Sequence, residues 1–449
     1  MVEGLNQMLP KIIDLFSGCG GLALGFTKAG FKLAGGIEIV QKAYDTLNYN
    51  LYVKQGKEKN HICGDITELS PSIFKNNLSG EGCIVIGGPP CQAYSLAGKG
   101  KLRSLGEDRV NTKDARGFLY KEFLRFVYGL DARAVLMENV PESTNFGGKN
   151  IPEIVCSDLE QHGYSAFWTI LCSADYGVPQ VRERVFVFGI KQNENKIISL
   201  PKPTNYNNKG IAPYYLKRVE RFKKYTHFTP PQVGKTNLPN WVTVGEAFSD
   251  LPSLFPTATS KYKQFDLTTV LKYKTGVLNN FQNLMRTWSS KSTTDTVSCN
   301  CFRNTRRDFC IFDRMQTGAN YVEASEIAIS LFLKEAKVRG FLPNTEEYNA
   351  LKKEMVPPYD TTKFQNKWLR LDPNRPSHTV TAHLCKDTYT HIHPWEPRGI
   401  SVREAARLQS FPDDFEFKCD MGNAFKQIGN AVPPLLSLGV AKAIKKAFR

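Results

Sequence analysis

The amino-acid sequence predicts an α/β fold, an open and largely parallel sheet flanked by helices, with a second, smaller domain. Three observations carry that expectation. Up to Ile190, short apolar runs alternate with stretches of helical spacing. Several of these runs stop at Gly or Pro beside an ionisable residue or a thiol, and open α/β sheets place ligands and chemistry at strand ends. Beyond that point the composition changes. Lys191–Arg370 holds 28 Lys and Arg against 15 Asp and Glu, so +13 of the net +16 lies there.

The 449 residues suffice for about two to three domains. No apolar run approaches the roughly 18 residues of a membrane span, and Met1–Pro10 has no signal-peptide pattern. Eleven cysteines without a repeated framework suit free thiols in a reducing cytoplasm. A concentrated positive segment points to nucleic acid or anionic lipid. No basic amphipathic helix stands out to favour lipid, and the plain alternative is charge kept for solubility.

Lys11–Phe16 reads as the first strand. Ser17-Gly18-Cys19-Gly20-Gly21 follows, and Leu22–Phe26 has helical spacing. Strand, glycine turn and helix in that order make a nucleotide-type cofactor loop, because glycines admit a ligand close to the backbone and helix N-terminal N–H groups bind anions. Phe31–Ile37 leads to Glu38, about twenty residues on, where such folds place a carboxylate on ribose hydroxyls. A solvated strand end is the alternative for Glu38. His61–Ile66 is another strand end, with Asp65 either a ligand group or a turn cap.

Cys83–Ile86 is a short buried strand halted by Gly87-Gly88-Pro89-Pro90, which delivers Cys91. Alone, that thiol is equally a packed, inert cysteine. Ser95–Arg116 is polar, Gly-punctuated and basic, and reads as a lid over phosphates or as plain disorder. Gly117–Val127 is an amphipathic helix. Ala134–Met137 is a strand presenting Glu138-Asn139-Val140-Pro141. Ile151–His162 is a helix and Trp168–Leu171 a strand. Gln180–Ile190 is a strand with Arg182 and Arg184 on one face. Cys91, Glu138 and Arg184 flank strand ends or starts, so one crevice could hold all three.

Farther on, Tyr, Asn and Pro interleave with basic clusters such as Arg221-Phe222-Lys223-Lys224-Tyr225 and Arg303–Arg307. Cys299, Cys301 and Cys310 lack a fourth ligand at finger spacing, so no metal is expected. Residues 323–339 are a helix, and Thr379-Val380-Thr381 reads as a strand ordering this region. Ser401 and Glu404 form a capping box opening the next helix. Val432–Phe448 is a terminal helix with Leu436, Val440 and Ile444 on one face.

These blocks closely resemble the DNA (cytosine-5)-methyltransferase family of the bacterial modification-methylase type. The matching motifs run in the family's order: Asp14–Gly21, Glu38, Gly64-Asp65-Ile66, Gly87–Gln92, Glu138-Asn139-Val140, Gln180–Arg184, Arg375–Thr381 and Gly429–Pro434. Eight in order are very specific. They cover both ends of the chain and leave the basic middle unmatched.

The resemblance implies a Rossmann-like S-adenosylmethionine-dependent methyltransferase domain with a smaller target-recognition domain. The implied boundaries are 10–192 for the catalytic, cofactor-binding domain, 193–397 for target recognition, and 398–449 for a segment returning to the first. It implies Cys91 as nucleophile, Glu138 as donor to N3 of cytosine, Arg184 as partner of O2 and Arg182 as support. Phe16, Gly18, Gly20, Glu38, Ile39, Asp65, Ile66, Pro90, Asn430 and Val432 would form the cofactor pocket. Ile39 stands where many members carry an aromatic, which weakens adenine stacking. The implied substrate is a cytosine flipped out of duplex DNA, and the implied setting is a monomer of a restriction-modification system in the cytoplasm, at the nucleoid. The alternatives are a transfer-RNA cytosine-5 methyltransferase and a non-catalytic DNA-binding homologue. A nicotinamide dehydrogenase leaves Pro90-Cys91 and the basic region unexplained.

Overall fold

The computed structural model describes residues 9–78, 80–90, 119–207, 214–254, 265–289, 294–363 and 365–449. Cys91 and the expected lid, Ser95–Arg116, lie outside them. The chain divides into two compact units. One contains the residues up to Trp241 with Gln409–Phe411 and Asn430–Arg449, and the other Val242–Leu408 with Pro412–Gly429.

The first unit is built on a seven-stranded sheet ordered β3-β2-β1-β4-β5-β7-β6. Its strands are β1 (Lys11–Leu15), β2 (Leu33–Glu38), β3 (His61–Cys63), β4 (Cys83–Gly87), β5 (Ala134–Asn139), β6 (Tyr164–Cys172) and β7 (Glu183–Lys191). The first five pair in parallel. β7 runs antiparallel to both β5 and β6. Burial explains the apolar runs: every residue of β4 is inside, as expected of a parallel strand covered on both faces.

Successive elements run outward from β1 on one side and from β4 on the other, so the strand order reverses between them. That reversal opens a crevice at the carboxyl ends of β1 and β4, the site such sheets use for ligands. The turns after Leu15 and Gly87 both emerge there.

Among the described residues of the N-terminal part the α-helices are α1 (Gly21–Lys28), α2 (Gln41–Leu51), α3 (Leu119–Gly129), α4 (Ile151–Gln161) and α5 (Tyr214–Phe222). α3 turns Phe123, Leu124, Phe126 and Val127 inward. Asn150 caps α4 by accepting from the Glu153 N–H, with Pro152 in the first turn. α5 corrects the sequence reading that no basic amphipathic helix stands out. It buries Val219 and Phe222 and carries Lys217, Arg218 and Arg221 on its other sides.

The terminal helix, Pro434–Ala447, buries Leu436, Val440 and Ile444 and packs on α1. Ser437 Oγ donates to the Leu22 carbonyl and Lys445 Nζ to that of Ala29. Gly25 permits this approach, because a Cβ there would overlap Ser437 and the Leu438 nitrogen.

The unit boundaries differ from 192/193 and 397/398. Residues 193–241 stay with the sheet because Phe222, Tyr225 and Phe228 surround Trp168 and Trp241 Nε1 donates to Asp175 at 2.9 Å. Of 398–449, only 409–411 and 430–449 join the sheet unit.

The second unit has helices at Val244–Phe248, Asn280–Arg286, Arg306–Arg314, Tyr321–Arg339, Glu346–Met355 and Val402–Leu408, with most of Met421–Asn430. Among its described residues the only paired strands are two residues each, Leu271–Lys272 and Thr296–Val297. The expected strand Thr379–Thr381 is irregular. Val380 alone is buried, and the chain at Thr381–Ala382 presses against Gly429, where a Cβ would collide with backbone. The alternation therefore reflects one inward valine rather than a strand ladder. The capping box forms as expected, with Glu404 N donating to Ser401 Oγ and Ser401 N to Glu404 Oε2.

Buried ions help to hold this unit. Arg407 lies between Asp250 and Asp413, all three buried. The cysteine cluster is structural in its backbone: Arg403 N donates to the Cys299 carbonyl and Val402 N to that of Cys301. Among the described residues no His, Cys, Asp or Glu group could hold a metal, and no helix is long and apolar enough to cross a membrane.

Candidate active site

Leu15 ends β1 and the chain turns at Phe16, which is half-buried with φ 57°. Left-handed backbone at a bulky aromatic is costly and is kept where a site demands it. Gly18 and Gly20 continue the turn with φ 55° and 89°. A Cβ on Gly18 would meet nothing within 4 Å, so the loop faces open space.

Glu38 closes the loop from below. Its Oε2 accepts from the Gly18 N–H at 2.7 Å and its Oε1 from the Val40 N–H at 2.8 Å. Burial raises its pKa, against the lowering effect of those N–H groups. Ile39, beside it, is 61% exposed, an apolar side chain left at the mouth of the crevice.

The Gly64 N–H donates to the Glu38 carbonyl, which carries Asp65 to the same rim. Asp65 Oδ1 accepts from the Thr67 N–H and hydroxyl, and these bonds lower its pKa. Capping thus occupies one oxygen. Ile66 turns its side chain into the core, so only its backbone faces the rim. Arg125 of α3 fixes this turn through the carbonyls of Ile66 and Leu69.

From the C-terminal end, the Val432 carbonyl packs against Gly21 so closely that a Cβ there would clash. Gln180 Nε2 donates to Gln409 Oε1 and Gln409 Nε2 to the Ala431 carbonyl. Asn430 lies exposed at the end of its helix. Three separated stretches therefore meet at the glycine loop.

Four groups beneath that loop had no assigned role in the sequence reading. Ser17 Oγ donates to the Asp14 carbonyl and lies 3.1 Å from His61 Nε2, while His61 Nδ1 lies 2.8 Å from the Tyr52 hydroxyl. Because Ser17 spends its proton on Asp14, the consistent pattern has Nε2–H donating to Ser17 and Tyr52 donating to Nδ1. Burial pushes the His61 pKa down to about 3, which keeps this neutral tautomer. Asp14 is buried, and neither carboxyl oxygen meets a donor among the described residues. Burial and Glu38 hold its pKa well above the usual range. Asp14 at a strand end beside glycines was a signal for a site residue; Tyr52 offered none.

On the other side of the switch point, Gly88-Pro89-Pro90 leaves β4 beside the end of β5. Asn139 Nδ2 donates to the Pro89 carbonyl at 3.3 Å, and its Oδ1 accepts from the Val140 N–H. Asn139 thereby fixes the turn that leads to Cys91. A Cβ on Gly88 would stand 2.9 Å from Glu138 Oε2, so glycine leaves room for that carboxyl.

Arg184 Nε pairs with Glu138 Oε1 at 2.8 Å, and its Nη1 donates to the Glu183 carbonyl at 2.7 Å. Antiparallel pairing of β5 with β7 brings the two residues together. Two effects oppose each other at Glu138: burial raises its pKa, and Arg184 and Arg182 lower it. Burial prevails and the net direction is upward. A carboxyl so placed retains a proton above the ordinary glutamate range and can donate it. Arg182 is buried and precedes β7, with its backbone bonded both ways to Ser173. The arrangement offers a proton donor and a cation at the end of β5, within the sheet that also carries the glycine loop.

The family model described as C-5 cytosine-specific DNA methylase matches residues 10–446. Among relatives, "Putative type II methyltransferase M.OihORF3336P" of Oceanobacillus iheyensis is 51% identical, over 98% of this chain and 96% of that protein. Type II methyltransferase M.AgeI of Thalassovita gelatinovora is 32% identical, over 98% of this chain and the whole of that protein. A solved prophage-encoded protein of E. coli shares the fold, with a TM-score of 0.65 and 24% identity over 98% of this chain and 99% of that one. With motifs, sheet order and relatives agreeing, the chain belongs to the C-5 cytosine-specific DNA methylase family.

Proposed function

We propose that this enzyme methylates C5 of a cytosine flipped out of duplex DNA, through a covalent bond between Cys91 and C6, as the modification partner of a type II restriction system. The observation that carries the reading is Glu138 at the end of β5, held 2.8 Å from Arg184 beside the turn that follows β4, with burial raising its pKa.

The residues present fit S-adenosylmethionine. That molecule carries a sulfonium and an ammonium, and the carboxyls of Glu38 and Asp65 stand at the crevice, with Asp14 buried beneath the glycine loop. The free face of Gly18 leaves room, Asp65, whose pKa its bonds from Thr67 lower, offers a charged carboxyl at the rim, and Ile39 gives an apolar wall. Phe16, Gly20, Ile66 through its backbone, Pro90, Asn430 and Val432 complete the proposed pocket. When bound, the cofactor supplies a methyl group activated by positive sulfur.

The chain's own groups do the rest. A free thiol is only a few per cent thiolate at neutral pH. The Cys91 thiolate adds to C6, forming an S–C bond and moving electron density toward N3 and O2. Glu138 protonates N3, and Arg184 stabilises O2. C5, now enamine-like, takes the methyl group. C5 then loses its proton, the S–C6 bond breaks, the thiolate departs and N3 returns its proton to Glu138. Flipping costs a few kcal/mol, because a stacked base cannot present both faces.

Cys91→Ser is expected to abolish methyl transfer while leaving S-adenosylhomocysteine binding intact, as read by labelled transfer and calorimetry. Full turnover by that variant would overturn the mechanism. Wild-type transfer to duplex DNA but not to transfer RNA is expected, and the reverse preference would sink the substrate assignment.

A further inference from the structure

α5 lies in the stretch that no family motif covers, yet it reaches the start of β7 and the loop after β5. Its flank residue Arg218 donates from Nη1 to Glu183 Oε2 at 2.7 Å, and Nη2 lies 4.0 Å from Glu142 Oε1. Glu183 sits between the two site arginines, and its carbonyl accepts from Arg184. Arg184 in turn holds Glu138. Glu142 follows Glu138 by one turn of chain. The guanidinium of Arg218 therefore ties α5 to the start of β7 and to the loop after β5.

The opposite side of α5 is cationic. Lys217, Arg221 and, just past the helix, Lys224 stand at i, i+4 and i+7, and all are exposed. Lys217 and Arg221 have no acidic partner among the described residues, whereas Lys223 is paired with Glu220. At 1.5 Å per residue Lys217 and Arg221 stand about 6 Å apart along the helix, with Lys224 in the turn that follows, a spacing that suits successive phosphates of one strand. A lipid surface fits poorly, because the apolar face of α5 is already spent on Trp168.

We infer that α5 is a contact helix for the phosphates of duplex DNA, with Lys217, Arg221 and Lys224 on the backbone and Arg218 as the positioning residue that holds the helix to Glu183 and Glu142, the neighbours of the Glu138–Arg184 pair. The inference rests on DNA being the substrate, so methylation of a random-sequence duplex by the wild type is measured first. Failure there overturns the DNA reading itself.

Given an active wild type, the test is binding of that duplex as a function of NaCl concentration. The triple variant Lys217→Gln/Arg221→Gln/Lys224→Gln is expected to bind about ten-fold or more weakly. The slope of log K against log salt should shrink by about 0.9 per lost phosphate contact, or roughly 2 to 3 in all. S-adenosylhomocysteine binding and melting temperature should match the wild type. If the triple variant does not fold, Arg221→Gln alone should reduce the slope by about 0.9. An unchanged slope in a folded variant overturns the proposal while leaving the DNA reading intact. For the anchor, Arg218→Met should lower kcat at least about ten-fold with little change in KM for the duplex, and Arg218→Lys should restore part of it. Unchanged kcat in Arg218→Met, or a loss matched by lost cofactor binding, overturns the positioning role.

Discussion

At the scale of single residues, three carboxyls of the candidate site, Asp14, Glu38 and Glu138, have pKa values raised by burial. Glu138 is the most informative, because a cation touches it and its pKa is still raised. Sign matters here. In its proposed role Glu138 donates from the protonated form, so its contribution is full at low pH and falls about ten-fold per unit once pH passes the raised pKa. The proposed Cys91 thiolate requires the opposite, so kcat should rise and then fall with pH. Glu138→Gln is expected to cost about 10²- to 10⁴-fold in kcat and to erase the alkaline decline, as measured by a pH–rate profile. Retention of that decline would assign it to another group. Sequence made Glu138, Glu38 and Asp65 legible, because each ends an apolar run. The chain of Tyr52, His61 and Ser17 was not legible, since nothing local marks residues whose partners lie nine and 44 positions away.

At the scale of elements, close backbone approach joins the two ends of the chain. α1 and the terminal helix meet at Gly25, and Gly21 admits the Val432 carbonyl. Gly25→Ala is expected to destabilise the protein by about 1–3 kcal/mol, the usual cost of overpacking. It should also weaken S-adenosylhomocysteine binding, because the displaced helix carries Val432 away from the glycine loop. Calorimetric melting and titration check both, and an unchanged melting temperature would contradict the packing described. Helical periodicity made the inward face of the terminal helix readable, through Leu436, Val440 and Ile444. The irregular Thr379–Thr381 was misread for a physical reason: one buried valine between two threonines imitates strand alternation, and only a pairing partner makes a strand. The docking of residues 193–241 on the sheet was equally hidden, since it depends on rings from Phe222 to Phe228 converging on Trp168.

For the molecule as a whole, charge and chemistry are divided unequally along the chain. The sheet unit carries the crevice, and most of the excess positive charge follows Ile190. On the proposed function, that distribution should make DNA affinity steeply salt-dependent, with the chemical step left to a few groups at strand ends. The central claim is that the turn after β4 delivers a nucleophile to cytosine. It is tested most directly with duplex DNA in which target cytosines carry fluorine at C5, together with S-adenosylmethionine. After methyl transfer, C5 then has no proton to lose, so the S–C6 bond cannot be released. The expected result is a protein–DNA adduct that survives denaturation, maps by peptide mass to Cys91, and is absent from Cys91→Ser. An active enzyme that forms no adduct, or one attached to another residue, would contradict it.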